Sequence, residues 1–241
     1  MGADLHTPGT DLPEEIDRYI IIAPSDAGAI GIAEQVLNRG GTVIIACEEG
    51  NGNELLRGLG SGMRIQPGNV SSIDMEFAST RTVIAEVAGN HSLFAGVKTL
   101  AFNRPSYITG GDPLVRTSIL SWVDTTGSGR PGSGMALGRY TLIATEQVGS
   151  GEVILIADAS LFATTMQEVR RLHDNPRLLG NLLQPDGSVV VDATYGRPAD
   201  AEGPAYFIHK IKSAPISTII AILLLMVVVV VGFRKEIFQG A

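Results

Sequence analysis

Cysteine is nearly absent from this chain. Cys47 is the only one in 241 residues, which excludes an intrachain disulfide framework and any site built from several thiolates. Lysine is also scarce: Lys98 is the only one ahead of Lys210, so scattered arginines carry the positive charge of the globular part. With a net charge of −7, that pattern argues against nucleic acid as a partner. Aromatic residues make up 5% of the chain and Trp122 is the sole tryptophan; it reads as a packing residue rather than a stacking platform. Histidines and carboxylates do not cluster at ligand spacing. "RRLHDN" is the only local concentration, so neither a metal nor a cofactor is expected. No apolar stretch of signal-peptide type precedes the first strand. His6 stands where a myristoylation signal needs Ser or Thr.

What the chain has in excess is one long apolar run. "APISTIIAILLLMVVVVVGF", residues 214–233, carries no charge. Twenty residues at about 1.5 Å each span about 30 Å, one hydrocarbon core. We therefore expect a single transmembrane helix over 214–233, a basic juxtamembrane segment over 209–213 and a short tail over 234–241. His209, Lys210 and Lys212 on one flank nearly balance Arg234 and Lys235 on the other, which leaves the side faced by the globular domain open. Residues 1–18 read as a polar lead-in and 19–208 as the globular domain.

Within that domain, "YIIIA" (19–23) and "TVIIAC" (42–47) read as strands buried on both faces. Between them lies a helix with Ile32, Ala33, Val36 and Leu37 on its apolar side. This is a β-α-β unit with parallel strands. Further strands are expected at 82–87, 97–102, 139–145, 151–157 and 188–194, with a hairpin turn at "QVGSG". Residues 158–184 read as mostly helical, broken near Asp174–Asn175–Pro176. "TTGSGRPGSG" (125–134) reads as a loop. It lacks the Walker pattern, though a Gly-rich loop beside Arg130 is a conceivable anion cradle. The fold class expected is α/β: a mostly parallel twisted sheet with helices on both faces, like glutamine amidotransferases or flavodoxins.

Four stretches carry a family resemblance: "IIIAPSD", "LNRGGTVIIACEEGNGNELLRGLG", "GSGEVILIADASLF…DNPRLLGNLL" and "VVVDATYG". The first two match the entry unit of the class I glutamine-amidotransferase-like fold. Together the four resemble the membrane-anchored proteins of domain-of-unknown-function family 4350. That resemblance implies partners: AAA+ ATPases of the MoxR type and von Willebrand A-like membrane proteins.

Cys47 occupies the place where an amidotransferase holds its nucleophile. The elbow glycines of G-x-C-x-G are missing there. Glu48 and Glu49 are expected to raise the thiol pKa where catalysis needs it lowered. No histidine falls at the late strand end that normally supplies the base; Asp192 and Tyr195 stand there instead. Ser25, Asp26, Glu48, Asn53, Asp158 and Ser160 fall near C-terminal strand ends, the edge where open α/β sheets bind ligands. Helix capping is the simpler role for Ser25 or Asp26, for Asn53, for Asp158 or Ser160, and for Asp124. The function expected is a membrane-anchored, non-catalytic binding or scaffolding domain. The alternatives are a hydrolase or amidotransferase using Cys47 or the strand-end carboxylates, and a small-anion or nucleotide sensor.

Overall fold

The computed structural model describes residues 4–6, 13, 15–48, 50, 52–74, 79–132, 135–167, 173–183 and 187–192. The chain divides into two units, Met1–Gly196 and Arg197–Ala241, and the second lies wholly outside the described residues. So do the expected membrane span over 214–233 and its flanks. Among the described residues no helix is long and apolar enough to cross a membrane.

The polar lead-in contributes a strand, β1 (Asp4–His6). The apolar runs that follow form β2 (Arg18–Ile22), α1 (Ile30–Asn38) and β3 (Thr42–Ala46). Side chains alternate along the strands. Tyr19, Ile21, Val43 and Ile45 therefore pack with Ala33, Val36 and Leu37 of α1 in one core. Ile20 and Ile44 point into a second core on the opposite face. Buried on both faces, these strands have no polar side to show, which accounts for their unbroken apolar sequence.

A short helix, α2 (Asn53–Gly58), leads into a run of strands: β4 (Arg64–Gln66), β5 (Asn69–Ser72), β6 (Thr82–Val87), β7 (Thr99–Asn103), β8 (Tyr107–Thr109), β9 (Asp112–Thr117), β10 (Ser121–Asp124), β11 (Thr141–Val148) and β12 (Gly151–Ile156). Then come a 3₁₀ turn (Ala159–Phe162), α3 (Thr164–Gln167), α4 (Asn175–Leu183) and β13 (Val189–Asp192). Strands β1-β13-β2-β3-β12 pair in parallel, and β12-β11-β9-β6-β7 continue the same sheet antiparallel. Strand β8 joins it through β11 and carries β4, while β5 and β10 form a separate antiparallel ribbon.

The fold is therefore mostly β, built on a mixed sheet, and the expected helix-flanked parallel α/β sheet is incorrect. Parallel neighbours need long crossover connections, whereas short turns force antiparallel pairing. Between α2 and α3 the described residues hold only two 3₁₀ turns as helix. The connections there are tight: Gly110, Gly111 and Gly149 take left-handed φ values of +81°, +69° and +62°. A short apolar run looks the same whichever way its neighbour runs, so "TVIAEV" and "TLIAT" concealed their pairing. Six strands escaped the sequence reading altogether, β1 and β10 among them. β4 and β8 have three residues each, β5 is the polar "NVSS", and β9 opens on Asp-Pro.

Two helix caps also differ from expectation. The first helix is preceded by Ala29 with no side-chain cap bond, and α2 by Gly52 rather than Asn53. Asp26 instead closes a turn upstream, where Gly28 N–H donates to its Oδ1 at 2.7 Å.

At Gly151 the backbones of β12, α1 and Gly41, just ahead of β3, come close together. A Cβ there would stand 2.5 Å from Gly41 O and 2.7 Å from Leu37 Cα, both backbone atoms. Gly31, exposed in the first turn of α1, has nothing within 4 Å of its would-be Cβ. Gly151→Ala is expected to lower the stability of the domain by at least ~1–3 kcal/mol through overpacking. Gly31→Ala is expected to raise it by up to about 0.5–1 kcal/mol. Urea midpoints of the two variants moving in opposite directions would bear this out.

Candidate functional site

Because β2, β3 and β12 run parallel, their C-terminal ends share one edge. Ala23, Cys47 and Asp158 follow them there, with Ala23 N–H bonded to Ala46 O at 2.7 Å and Cys47 N–H to Ile156 O at 3.0 Å. Ala23 has a left-handed φ of +53°. The sheet thus brings Cys47, Glu48, Asp158 and Ser160 together.

Cys47 is fully buried, at 0% exposure. Burial pushes its thiol up to about 12; the Gly52 N–H opposes this by bonding the sulfur, and Glu48 adds to it. The direction matches the sequence reading, but burial rather than the neighbouring acid is the larger cause. Glu49 lies outside the described residues. A Cβ on Gly52 would stand 2.5 Å from the Cys47 Sγ, so α2 sits directly on the sulfur. The two histidines whose side chains are described have other neighbours. His91 Nε2 pairs with Glu152 Oε2 at 3.1 Å, and Leu93 N–H donates to its Nδ1 at 3.2 Å. Glu152 lies at the opposite end of β12 from Asp158, roughly 20 Å away at about 3.3 Å per residue. His173 stands beside Thr99, 3.3 Å from its Oγ1. Asp192 accepts a 2.5 Å bond from Tyr19 OH. Burial and a raised pKa both hold the thiol in its less nucleophilic protonated form.

The Asp158 carboxylate is turned inward as well. Asp158 is 0% exposed. It accepts Ser160 N–H at 2.8 Å, capping the 3₁₀ turn, and Asn103 N–H at 2.7 Å, which ties the end of β7 to the end of β12. Ser160 N–H also lies 3.4 Å from Glu48 Oε1. Burial raises Asp158 to about 7; hydrogen bonds to Ser160 and to the Asn103 amide pull the other way, and the neighbouring Glu48 reinforces the rise. A carboxyl that titrates near neutrality is suited to general acid–base chemistry. Here both oxygens are engaged by backbone amides and neither reaches solvent, so the group works as a structural clamp.

The remaining candidates separate from this cluster. Asn53 pairs both ends of its amide with the Ile65 backbone, Nδ2 to O at 2.9 Å and Oδ1 from N–H at 2.9 Å, fastening α2 to β4. Ser25 and Asp26 are exposed on the connection into α1. Asp124 organises the Gly-rich loop rather than a helix. Its Oδ1 accepts Thr126 N–H (3.2 Å), Thr126 Oγ1 (3.0 Å) and Ser128 N–H (3.2 Å), and its Oδ2 accepts Gly129 N–H at 2.6 Å. Burial pushes this carboxyl up, but the amide and hydroxyl bonds together outweigh it and hold it below its usual range. The loop's amides are thus already spent on an internal anion. Sequence reasoning missed the turn after β7, where Arg104 takes a left-handed φ of +53°; the Arg-Pro pair in "FNRPSY" was its only signal. Among the described residues no group of three or more His, Cys, Asp or Glu is placed to hold a metal.

A mixed-sheet β domain with Cys47 and Asp158 buried at one strand-end edge defines the class. The family model for "Domain of unknown function (DUF4350)" matches residues 3–183, and the chain belongs to that family. No relative matches among curated proteins. Among solved structures, a β-galactosidase from Rahnella sp. R3 is 13% identical with a TM-score of 0.38, covering 59% of this chain and 20% of its own. A β-galactosidase from Bacillus circulans sp. alkalophilus is 12% identical with a TM-score of 0.39, over 68% and 22%. The exo-β-1,4-mannosidase Op5Man5 from Opitutaceae bacterium strain TAV5 is 16% identical with a TM-score of 0.39, over 72% and 27%. The chain spans about a quarter of the length of these enzymes, and the likeness is too weak to carry fold or activity across.

The Asp158 clamp has a pH signature. Unfolded, the carboxyl ionises near its ordinary 3.8; folded, near 7. Between those values the native chain holds the extra proton, so this contribution is full below about pH 4 and is lost as pH rises through about 7. Glu48→Gln removes one of the charges that raise Asp158. We expect the loss of urea stability between pH 5 and pH 8 to be smaller in Glu48→Gln than in the parent; equal losses would contradict the coupling.

Proposed function

We propose that this chain is a non-catalytic binding or scaffolding domain held at a membrane by residues 214–233. The observation that carries the reading is Cys47. At the strand end where an enzyme of the expected kind holds its nucleophile, the thiol is 0% exposed and pushed up to about 12, with His91 committed elsewhere. Asp158 beside it is spent on the backbone amides of Ser160 and Asn103. The uncharged length of 214–233 supports the membrane attachment. The partners proposed are an AAA+ ATPase of the MoxR type and a von Willebrand A-like membrane protein, as the family resemblance implies.

Two measurements test this. In the native protein Cys47 is expected to react with a thiol reagent only at the rate of global unfolding, and fully in urea. Ammonia release from glutamine is expected to stay at background in both the parent and Cys47→Ala. Turnover that vanishes in Cys47→Ala would overturn the non-catalytic reading. For the partners, the full chain in detergent is expected to co-migrate with the ATPase or the von Willebrand A-like protein in size-exclusion chromatography.

A further inference from the structure

A cavity of about 110 Å³ lies beside the β5–β10 ribbon, away from the Cys47 edge. It is lined by Asn69, Ser71, Arg81, Arg104, Asp124 and Gly127. At about 30 Å³ per water, it has room for a few waters or one small polyatomic ion. Two residues apart on β5, Asn69 and Ser71 share a face, and Asn69 is paired across the ribbon with Asp124.

The two arginines come from the next sheet. Thr82 of β6 faces Asn103 of β7, and one step beyond, Arg104 N–H donates to Arg81 O at 2.8 Å. The two cations are therefore direct cross-strand neighbours, an arrangement that is unfavourable unless a counter-charge lies between them. Asp124 lines the same cavity and supplies one negative charge against the two guanidinium charges, so the lining keeps a net positive charge. Its oxygens are bonded by Thr126, Ser128 and Gly129, and neither arginine stands in an ion pair with a described residue. Arg81 donates one Nη2 bond to Gly127 O, which leaves most of its five N–H donors free. The Arg104 guanidinium and the Asn69 amide make no hydrogen bond among the described residues. Ser71 is 0% exposed and its Oγ has no partner, a costly state for a buried hydroxyl.

The backbone around Arg104 is held in place at a cost. Its left-handed φ of +53° is a conformation that non-glycine residues adopt only where the surroundings impose it. Those surroundings are specific: Asn103 N–H on Asp158 Oδ2 at 2.7 Å, Val70 N–H on Pro105 O at 2.7 Å, and Ser106 N–H on Ala157 O at 2.9 Å. The Asp158 clamp thus aims Arg104 at the cavity.

We propose that this cavity binds one phosphate-sized oxyanion, with Arg104 and Arg81 supplying charge-assisted bonds and Asn69 and Ser71 supplying neutral donors. The same chemistry fits a free inorganic anion or the phosphate end of a small monoester.

The test is thermal unfolding of the full chain in detergent, titrated with potassium phosphate or glycerol phosphate against potassium chloride at equal ionic strength. Phosphate is expected to raise the Tm progressively with concentration, as a ligand of the native state does, and chloride is not. Saturation by inorganic phosphate at concentrations no higher than the monoester needs identifies a free anion; a tighter response to the monoester identifies an end group. Arg104→Gly removes the guanidinium and relieves the left-handed strain together. Its Tm without phosphate is expected to equal or exceed the parent's, while its phosphate affinity falls about tenfold or more. Asn69→Ala is expected to weaken phosphate binding with little change in the ligand-free Tm. No phosphate response beyond chloride in the parent, or an unchanged response in Arg104→Gly, would overturn the proposal.

Discussion

Strand β12 is the constraint on which the rest of the sheet depends. Its one side pairs in parallel with β3 and its other side antiparallel with β11, so it alone joins the two styles of pairing. Gly151 lets α1 settle against its first residue, and Asp158 fastens its far end to β7. Both cores include its side chains, Ile154 and Ile156 in one and Val153 and Leu155 in the other.

The sequence was legible where pattern and pairing are local. The β2–α1–β3 unit and the faces of α1 follow from "RYIII", "IGIAEQVLN" and "TVIIA", because burial on both sides demands continuous apolar residues. The family was legible through motifs around those same elements. The sheet order was not. Whether β11 meets β9 or another neighbour is decided by turn geometry and long-range packing, and strands such as "NVSS" carry almost no hydrophobic signal of their own.

For the candidate site, the grouping was legible in part: Cys47, Glu48, Asp158 and Ser160 do meet at one edge. Burial, which no spacing reveals, sets the state of two of them: it pushes the Cys47 thiol up and raises the Asp158 carboxyl. Asn53 shows the same effect on a smaller scale, since a partner twelve positions downstream, Ile65, claims both ends of its amide. The Gly-rich stretch was read as a loop, with an anion cradle as the lesser possibility; its amides turn instead to Asp124, immediately before it.

The parallel pairing of β3 with β12 joins Thr42 to Glu152, roughly a hundred residues apart in the chain. During synthesis the first β-α-β unit emerges with one edge of β3 unpaired, and its permanent neighbour follows only after the whole antiparallel section has been made. Such late, non-local closure slows folding and leaves an apolar strand edge exposed to other chains in the interval. A ribosome-bound chain stopped short of β12 therefore carries that apolar edge uncovered, and the sheet is complete only once β13, later still, has paired with β2 and β1.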